Sequence, residues 1–244
     1  MSRARPATLR AWLWRPGFDV LRGMERSLDS RLALPLMMLA LLASWWIYVP
    51  LHELFHAWGC LAAGGTVSRL EIDEAYGAAW LAQWFPYIRP GSEYAGRLSG
   101  FDTGGRDTVY LVTVFSPFLL TIFIGLPLLY LAIRQARAWL LGAAVPWALT
   151  PFLSLTGDYY EMGSIAASRL ATPWVPEAIA RWRGDDLPLM VETLFGATGN
   201  GTAMDALGLA IGFLLGLTGA YLTYHTGAFL ATRLLGDPHV HTRP

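Results

Sequence analysis

Lysine is absent from the 244 residues, so all 18 basic side chains are arginine, and 18 aspartates and glutamates balance them. The missing lysine reads as a bias of genome composition and says little about function. A formal net charge of zero, without blocks of like charge, offers no basic patch to a nucleic acid and no charged interaction tail. Only one cysteine is present, Cys60, which excludes an internal disulfide framework. Charge of either sign is scarce. At 15% charged and 54% hydrophobic residues, with mean hydropathy +0.39, the chain lies outside the usual soluble range and is expected to sit in a membrane.

The apolar residues fall into four stretches long enough to span, at about 32–50, 108–133, 137–157 and 205–235. The first is longer than a signal-peptide core and lacks a small-residue cleavage site, so it is expected to remain in the mature chain. Before it, residues 1–31 carry seven arginines, and AWLWRPGFDVLRGMERSL at 11–28 mixes these with Trp, Leu and Val. That pattern suits a helix lying on the bilayer surface. Between the first two spans, alternation at Val67, Arg69, Leu70 and Ile72 followed by aromatic and Gly-rich sequence predicts a short hairpin or a re-entrant segment. Residues 163–204, with Trp174 and Trp182 as interface anchors, read as an amphipathic surface segment. The expected fold is therefore an all-α membrane protein of about four transmembrane helices, with a short β-hairpin or re-entrant segment after the first. The fourth helix and a tail occupy 205–244, and the expected location is a bacterial cell membrane.

Directly after LALPLMMLALLASWWIYVP comes LHELFHAWGC, which places two histidines and a glutamate where lipid penalises them. The first span is expected to run on through this segment, kinked near Pro50. His52 and His56 stand four residues apart, so both project from one helical face and can share a tetrahedral zinc. Glu53 lies beside that face, where a carboxylate can take a proton from a water activated by the metal. With five His and eight Glu in the chain, HExxH arises by chance about 0.3% of the time, which favours a metal site over a merely polar interhelical cluster. Cys60 is one helical turn further on, about 6 Å from such a metal along the axis, and reads as a packing residue.

Two histidines need a third protein ligand if one position is to stay open to water. An acid at the end of another span would serve, and PFLSLTGDYYEMGS supplies Asp158 and Glu161 one turn apart. Asp158 lies closer to the apolar run and follows Gly157, so it is favoured, with Glu161 as the alternative ligand and a helix cap as the structural alternative for Asp158. His225 in the last span either serves as an outer partner of the site or bridges helices. Gly208, Gly212 and Gly216 make small-residue spacings on that span, expected to pack against the core or to form a homo-oligomer contact.

HELFHAWGCLAAGG resembles the active-site helix of the site-2 protease family of intramembrane zinc metalloproteases. Ser116-Pro117 is similar to that family's Gly-Pro in its middle core helix, and Asp158 is similar to its Asp ligand. The likeness covers about residues 40–162. The chain departs from the family's usual Leu-Asp-Gly by carrying Thr156-Gly157-Asp158, and it has neither a PDZ nor a CBS module. The resemblance implies a zinc endopeptidase core at 32–162, with His52, His56 and Asp158 on zinc and Glu53 in proton transfer. It also implies that the stretch near Val67, Arg69 and Leu70 pairs with an unwound membrane-spanning protein substrate. Physical chemistry supports the pairing independently, because a helical peptide bond in a bilayer must be unwound before hydrolysis and an edge strand can replace its hydrogen bonds. An ordinary surface hairpin is the alternative. The competing functions are a zinc-binding membrane scaffold without turnover and a membrane-embedded zinc protease acting on soluble peptides.

Overall fold

In the computed structural model, which describes residues 9–238, four helices are long and apolar enough to cross a membrane: Ala33–Ala62, Phe118–Gln135, Ala138–Ala171 and Ala203–Leu235. In chain order the elements are α1 (Leu9–Ser27), α2 (Ala33–Ala62), β1 (Thr66–Ile72), α3 (Ala78–Leu81), β2 (Ile88–Pro90) and β3 (Gly96–Asp102). These are followed by α4 (Asp107–Phe115), α5 (Phe118–Leu120), a π-helical turn (Thr121–Gly125), α6 (Leu126–Gln135) and α7 (Ala138–Leu153). The chain continues through α8 (Asp158–Ala171), α9 (Ala178–Trp182), α10 (Leu187–Phe195) and α11 (Ala203–Leu235).

The helices divide where the backbone cannot continue its ladder. The expected second span at about 108–133 is interrupted at Ser116-Pro117, because Pro117 has no N–H to donate; α4 ends there and the long apolar helix starts at Phe118. α2 runs unbroken past Pro50 to Ala62. Its end is fixed by Gly64, which adopts φ 84°, and by Arg106, which donates to the Gly64 carbonyl at 2.7 Å. α8 passes the expected boundary at residue 162 and reaches Ala171 with Gly163, Ser164, Ile165, Ala167 and Ser168 buried.

Two compact units are formed from alternating stretches of chain. The first takes in the described residues up to Trp45, Thr121–Leu149 and the chain from Tyr224 onward. Here α1 buries Pro16, Asp19, Gly23 and Ser27 along one stripe, while Leu9, Leu13, Trp14, Phe18 and Leu21 remain exposed on another side. Gly142 lies directly on the Met37 backbone, where an added Cβ would come within 2.0 Å of the Met37 oxygen. Ser44 joins the same contact by donating to the Ala143 carbonyl at 2.6 Å and accepting from the Trp147 indole.

The second unit comprises Trp46–Leu120 and Thr150–Thr223. It holds a three-stranded sheet in the order β2-β1-β3, with β1 parallel to β2 and antiparallel to β3. Leu70, Ile72 and Ile88 of the sheet pack with Leu54 and Ala57 of α2. Burying each such Leu or Ile contributes about 1.5–3 kcal/mol, so this cluster anchors the sheet to the helix turn that carries His56. The sequence expectation that the stretch near Val67, Arg69 and Leu70 forms an open edge is corrected here. β1 is the central strand, Leu70 is fully buried, and its N–H donates to the Tyr87 carbonyl at 2.8 Å.

Gly208, Gly212 and Gly216 of α11 meet Trp182, Ser164 and the Tyr159 carbonyl, respectively. Gly163 of α8 returns the contact, with room for a Cβ removed by the Gly212 oxygen at 2.0 Å. The small-residue face is thus covered by the chain's own α8 and α9 rather than offered to a second copy. Tyr159 reinforces the pairing by donating to Thr223 at 2.7 Å. At the start of α4, Asp107 receives Arg183 through two contacts of 2.9 Å and also Arg169, tying α4 to α8 and the segment after α9.

Candidate metal centre

The helical period sets His52 above His56 on α2, and both imidazoles turn the same nitrogen to one point. His52 Nε2 lies 3.2 Å from His56 Nε2. The Asp158 carboxylate, at the first turn of α8, closes the group: Oδ2 is 3.2 Å from His52 Nε2, and Oδ1 is 3.6 Å from His56 Nε2. The three side chains are largely buried, at 12%, 10% and 20% exposure for His52, His56 and Asp158. All lie in the second unit.

The other nitrogen of each ring determines what this cluster can bind. His56 Nδ1 is 3.0 Å from the Thr113 carbonyl, which only accepts, so Nδ1 carries the proton and Nε2 of the neutral ring presents a lone pair. The carbonyl is available for a local reason. In an α-helix it would accept from the amide four residues on, and that residue is Pro117. Tyr48, one turn before His52, places its hydroxyl 2.9 Å from His52 Nδ1. With Nδ1–H donating to that oxygen, His52 Nε2 also keeps its lone pair.

Two imidazole lone pairs and a carboxylate directed at one another repel unless a metal ion or a shared proton lies among them. The 3.2 Å between the two Nε2 atoms and the 3.2 Å from His52 Nε2 to Asp158 Oδ2 are close to the edges, about 3.3–3.6 Å, of a tetrahedron with metal–ligand bonds of about 2.0–2.2 Å, while His56 Nε2 faces the other carboxylate oxygen, Oδ1, at 3.6 Å. The group can hold a metal ion, since one nitrogen of each ring and one carboxylate oxygen lie within 4.8 Å of one another.

Glu53 points to a different neighbour. A Cβ placed on Gly96 of β3 would come within 2.3 Å of Glu53 Cγ and 2.8 Å of its carboxyl carbon, so the Glu53 side chain lies over the one residue of this strand end that leaves it space. Its carboxyl interacts electrostatically with His56 and Asp158. Glu53 thus stands beside the cluster without belonging to it.

Glu161, the alternative ligand, turns away to accept from Tyr110. His225 belongs to the first unit, where its ring stacks on Trp12 with centroids 4.4 Å apart and Nε2 lies 3.1 Å from the Trp12 carbonyl oxygen. It bridges elements there. Val67 packs partly against the sheet core, and Arg69 pairs with Glu71 at 2.7 Å. Cys60 is buried with its sulfur 3.6 Å from the Thr66 carbonyl, as a packing residue. Asp107, outside the long apolar helices, has its carboxyl pulled down to about 2, chiefly by hydrogen bonds from Arg183 and then from Arg169.

Sequence reasoning missed Tyr48, Thr113 and Gly96. For the first two the signal was present, since Tyr48 precedes His52 by one turn and Thr113 precedes Pro117 by four residues. Gly96 had no local signal, because its role depends on how β3 approaches α2. Compared with protein-family models, curated proteins and solved structures, the chain matches none.

Proposed function

We propose that the chain is an intramembrane zinc endopeptidase, similar in its chemistry to the site-2 protease family, that hydrolyses a membrane-spanning protein. One observation carries the reading: two imidazole nitrogens and a carboxylate oxygen converge within 4.8 Å of one another beside a separate glutamate, on helices long enough to cross a bilayer. A zinc ion bound there would supply a Lewis acid that acidifies water and polarises a carbonyl.

The chain's own groups account for the rest. Thr113 and Tyr48 fix the ring orientations through the outer nitrogens. Glu53 accepts a proton from water as the water oxygen bonds to the scissile carbonyl carbon; the C–N bond then breaks and Glu53 returns the proton to the departing amine. Substrate pairing moves from β1 to β3. The Ala95 carbonyl accepts from Asp73 on the β1 side, so by alternation the backbone groups of Gly96 and Leu98 point away from β1. An extended segment added to that edge would pass Gly96, and Glu53 lies over Gly96.

The test compares wild type with Glu53→Gln in detergent, measuring zinc by metal analysis and cleavage of single-span proteins by the appearance of a truncated product. Equal zinc in both, with product from wild type alone, supports the proposal. Failure of both to bind zinc overturns it. Zinc binding with cleavage only of soluble peptides replaces it with a membrane-embedded protease of different substrate class, and zinc binding with no turnover leaves a scaffold.

A further inference from the structure

The first unit contains a cavity of about 750 Å³ along α1, lined by Trp12, Arg15, Phe18, Leu21, Arg22 and Glu25, with His225 and Asp237 completing the wall. We infer that this cavity binds one zwitterionic phospholipid, its phosphate on Arg22 and its ammonium on Glu25. The inference rests on the membrane placement of the chain and is independent of whether the chain hydrolyses peptides.

Arg22 is the central observation. It lines the cavity, and no hydrogen bond or ion pair engages its guanidinium among the described residues, where its Nε is enclosed by the chain itself, so the outer nitrogens are left to an acceptor that enters the cavity. The guanidinium fork is matched to a phosphate, which takes two parallel N–H donors. Arg15 cannot serve in its place. It already donates to Tyr130 at 2.7 Å and lies 3.7 Å from Asp19, which in turn receives Tyr224 at 2.7 Å. This internal network holds α1 in position and leaves Arg22, of the two arginines on the cavity wall, without a carboxylate partner among the described residues.

Charge on the wall selects the class of anion. Glu25, one helical turn from Arg22, makes no ion pair within 4.0 Å among the described residues and also lines the cavity. A bare phosphate would meet that negative charge unaided. A headgroup with an ammonium joined to its phosphate by a two-carbon bridge neutralises both sides. The apolar part of the ligand is also provided for, because Phe18 and Leu21 line the cavity and are 57% and 61% exposed on the same side of α1 as Trp14. That face is what a helix at the bilayer surface presents to acyl chains.

The experiment uses the full chain in detergent, exchanged with equimolar phosphatidylethanolamine and phosphatidylglycerol of identical acyl chains and read by native mass spectrometry. Inorganic phosphate alone is a separate arm, and helical circular dichroism checks each variant. Wild type should retain one phosphatidylethanolamine, about tenfold in preference to phosphatidylglycerol, and Arg22→Gln should lose retention by about tenfold or more. Glu25→Gln, a change at an exposed position, should bind the two lipids alike, and this arm decides the matter if Arg22→Gln does not fold. Retention by a folded Arg22→Gln equal to wild type, unchanged selectivity in Glu25→Gln, or displacement of the lipid by inorganic phosphate would each overturn the assignment.

Discussion

Pro117 stands four residues after Thr113, and the Thr113 carbonyl that it cannot engage accepts the Nδ1–H of His56 at 3.0 Å. A break in α4 therefore orients a candidate metal ligand on α2. Replacing Pro117 with Ala restores an amide that competes for that carbonyl, and it also removes a residue that is unfavourable within a helix. We expect Pro117→Ala to fold at least as stably as wild type while zinc affinity falls about 10–100-fold, the usual effect of losing an outer partner of a ligating histidine. Competition with a chromophoric chelator measures the affinity, and an unchanged value would show that the carbonyl contact is dispensable.

Asp158 and Glu161 share the first turn of α8 but face different groups, the histidine pair and Tyr110 respectively. Asp158→Asn should lose most of the bound metal, because an amide replaces an anionic ligand. Glu161→Gln should keep the metal. Stoichiometric zinc in purified Asp158→Asn together with its loss from Glu161→Gln would reverse the assignment.

The histidine pair was legible because its spacing is local: a helix alone puts His52 and His56 on one face. Asp158 was legible as an ionisable group at the end of an apolar run, and the fold supplied the fact that Asp158, not Glu161, turns toward α2. Nothing local distinguished the packing partner of Gly208, Gly212 and Gly216, since small-residue spacings suit an internal helix as well as a second copy. The sheet was the least legible part. β2 is only three residues, Ile88–Pro90, ending in a proline, and its parallel pairing with β1 depends on the crossover through α3. Without β2, Leu70 reads as an edge residue; with it, Leu70 is the buried centre of the sheet.

Acid should weaken the second unit through Asp107. Its carboxyl titrates at about 2 in the folded chain against an ordinary value of 3.8, so the ionised form is favoured by folding. The resulting stability is present above pH 3.8 and is lost as the pH falls toward 2. The group is 21% exposed, and solvent screening limits the effect to about 1 kcal/mol. In metal-free protein, lowering the pH from 5 to 2.5 should depress Tm more in wild type than in Asp107→Asn. Identical slopes would remove Asp107 from the acid response.

The proposed placement of substrate at β3 separates two proline substitutions. Leu70→Pro deletes the N–H that reaches Tyr87 and a side chain at 0% exposure in the centre of the sheet. It should cost about 3 kcal/mol or more and lose zinc and turnover together through misfolding. Leu98→Pro acts on the other side of the ladder: the N–H of Leu98 points away from β1, so the β1–β3 bonds survive while a donor vanishes from the open edge. Leu98 also packs partly against the sheet core, so Leu98→Ala serves as the control for the lost side chain. Relative to Leu98→Ala, we expect Leu98→Pro to retain zinc and Tm while cleavage of a membrane-spanning substrate falls about tenfold or more. Equal cleavage by the two variants would remove the β3 edge from substrate binding and leave the metal centre without an assigned docking strand.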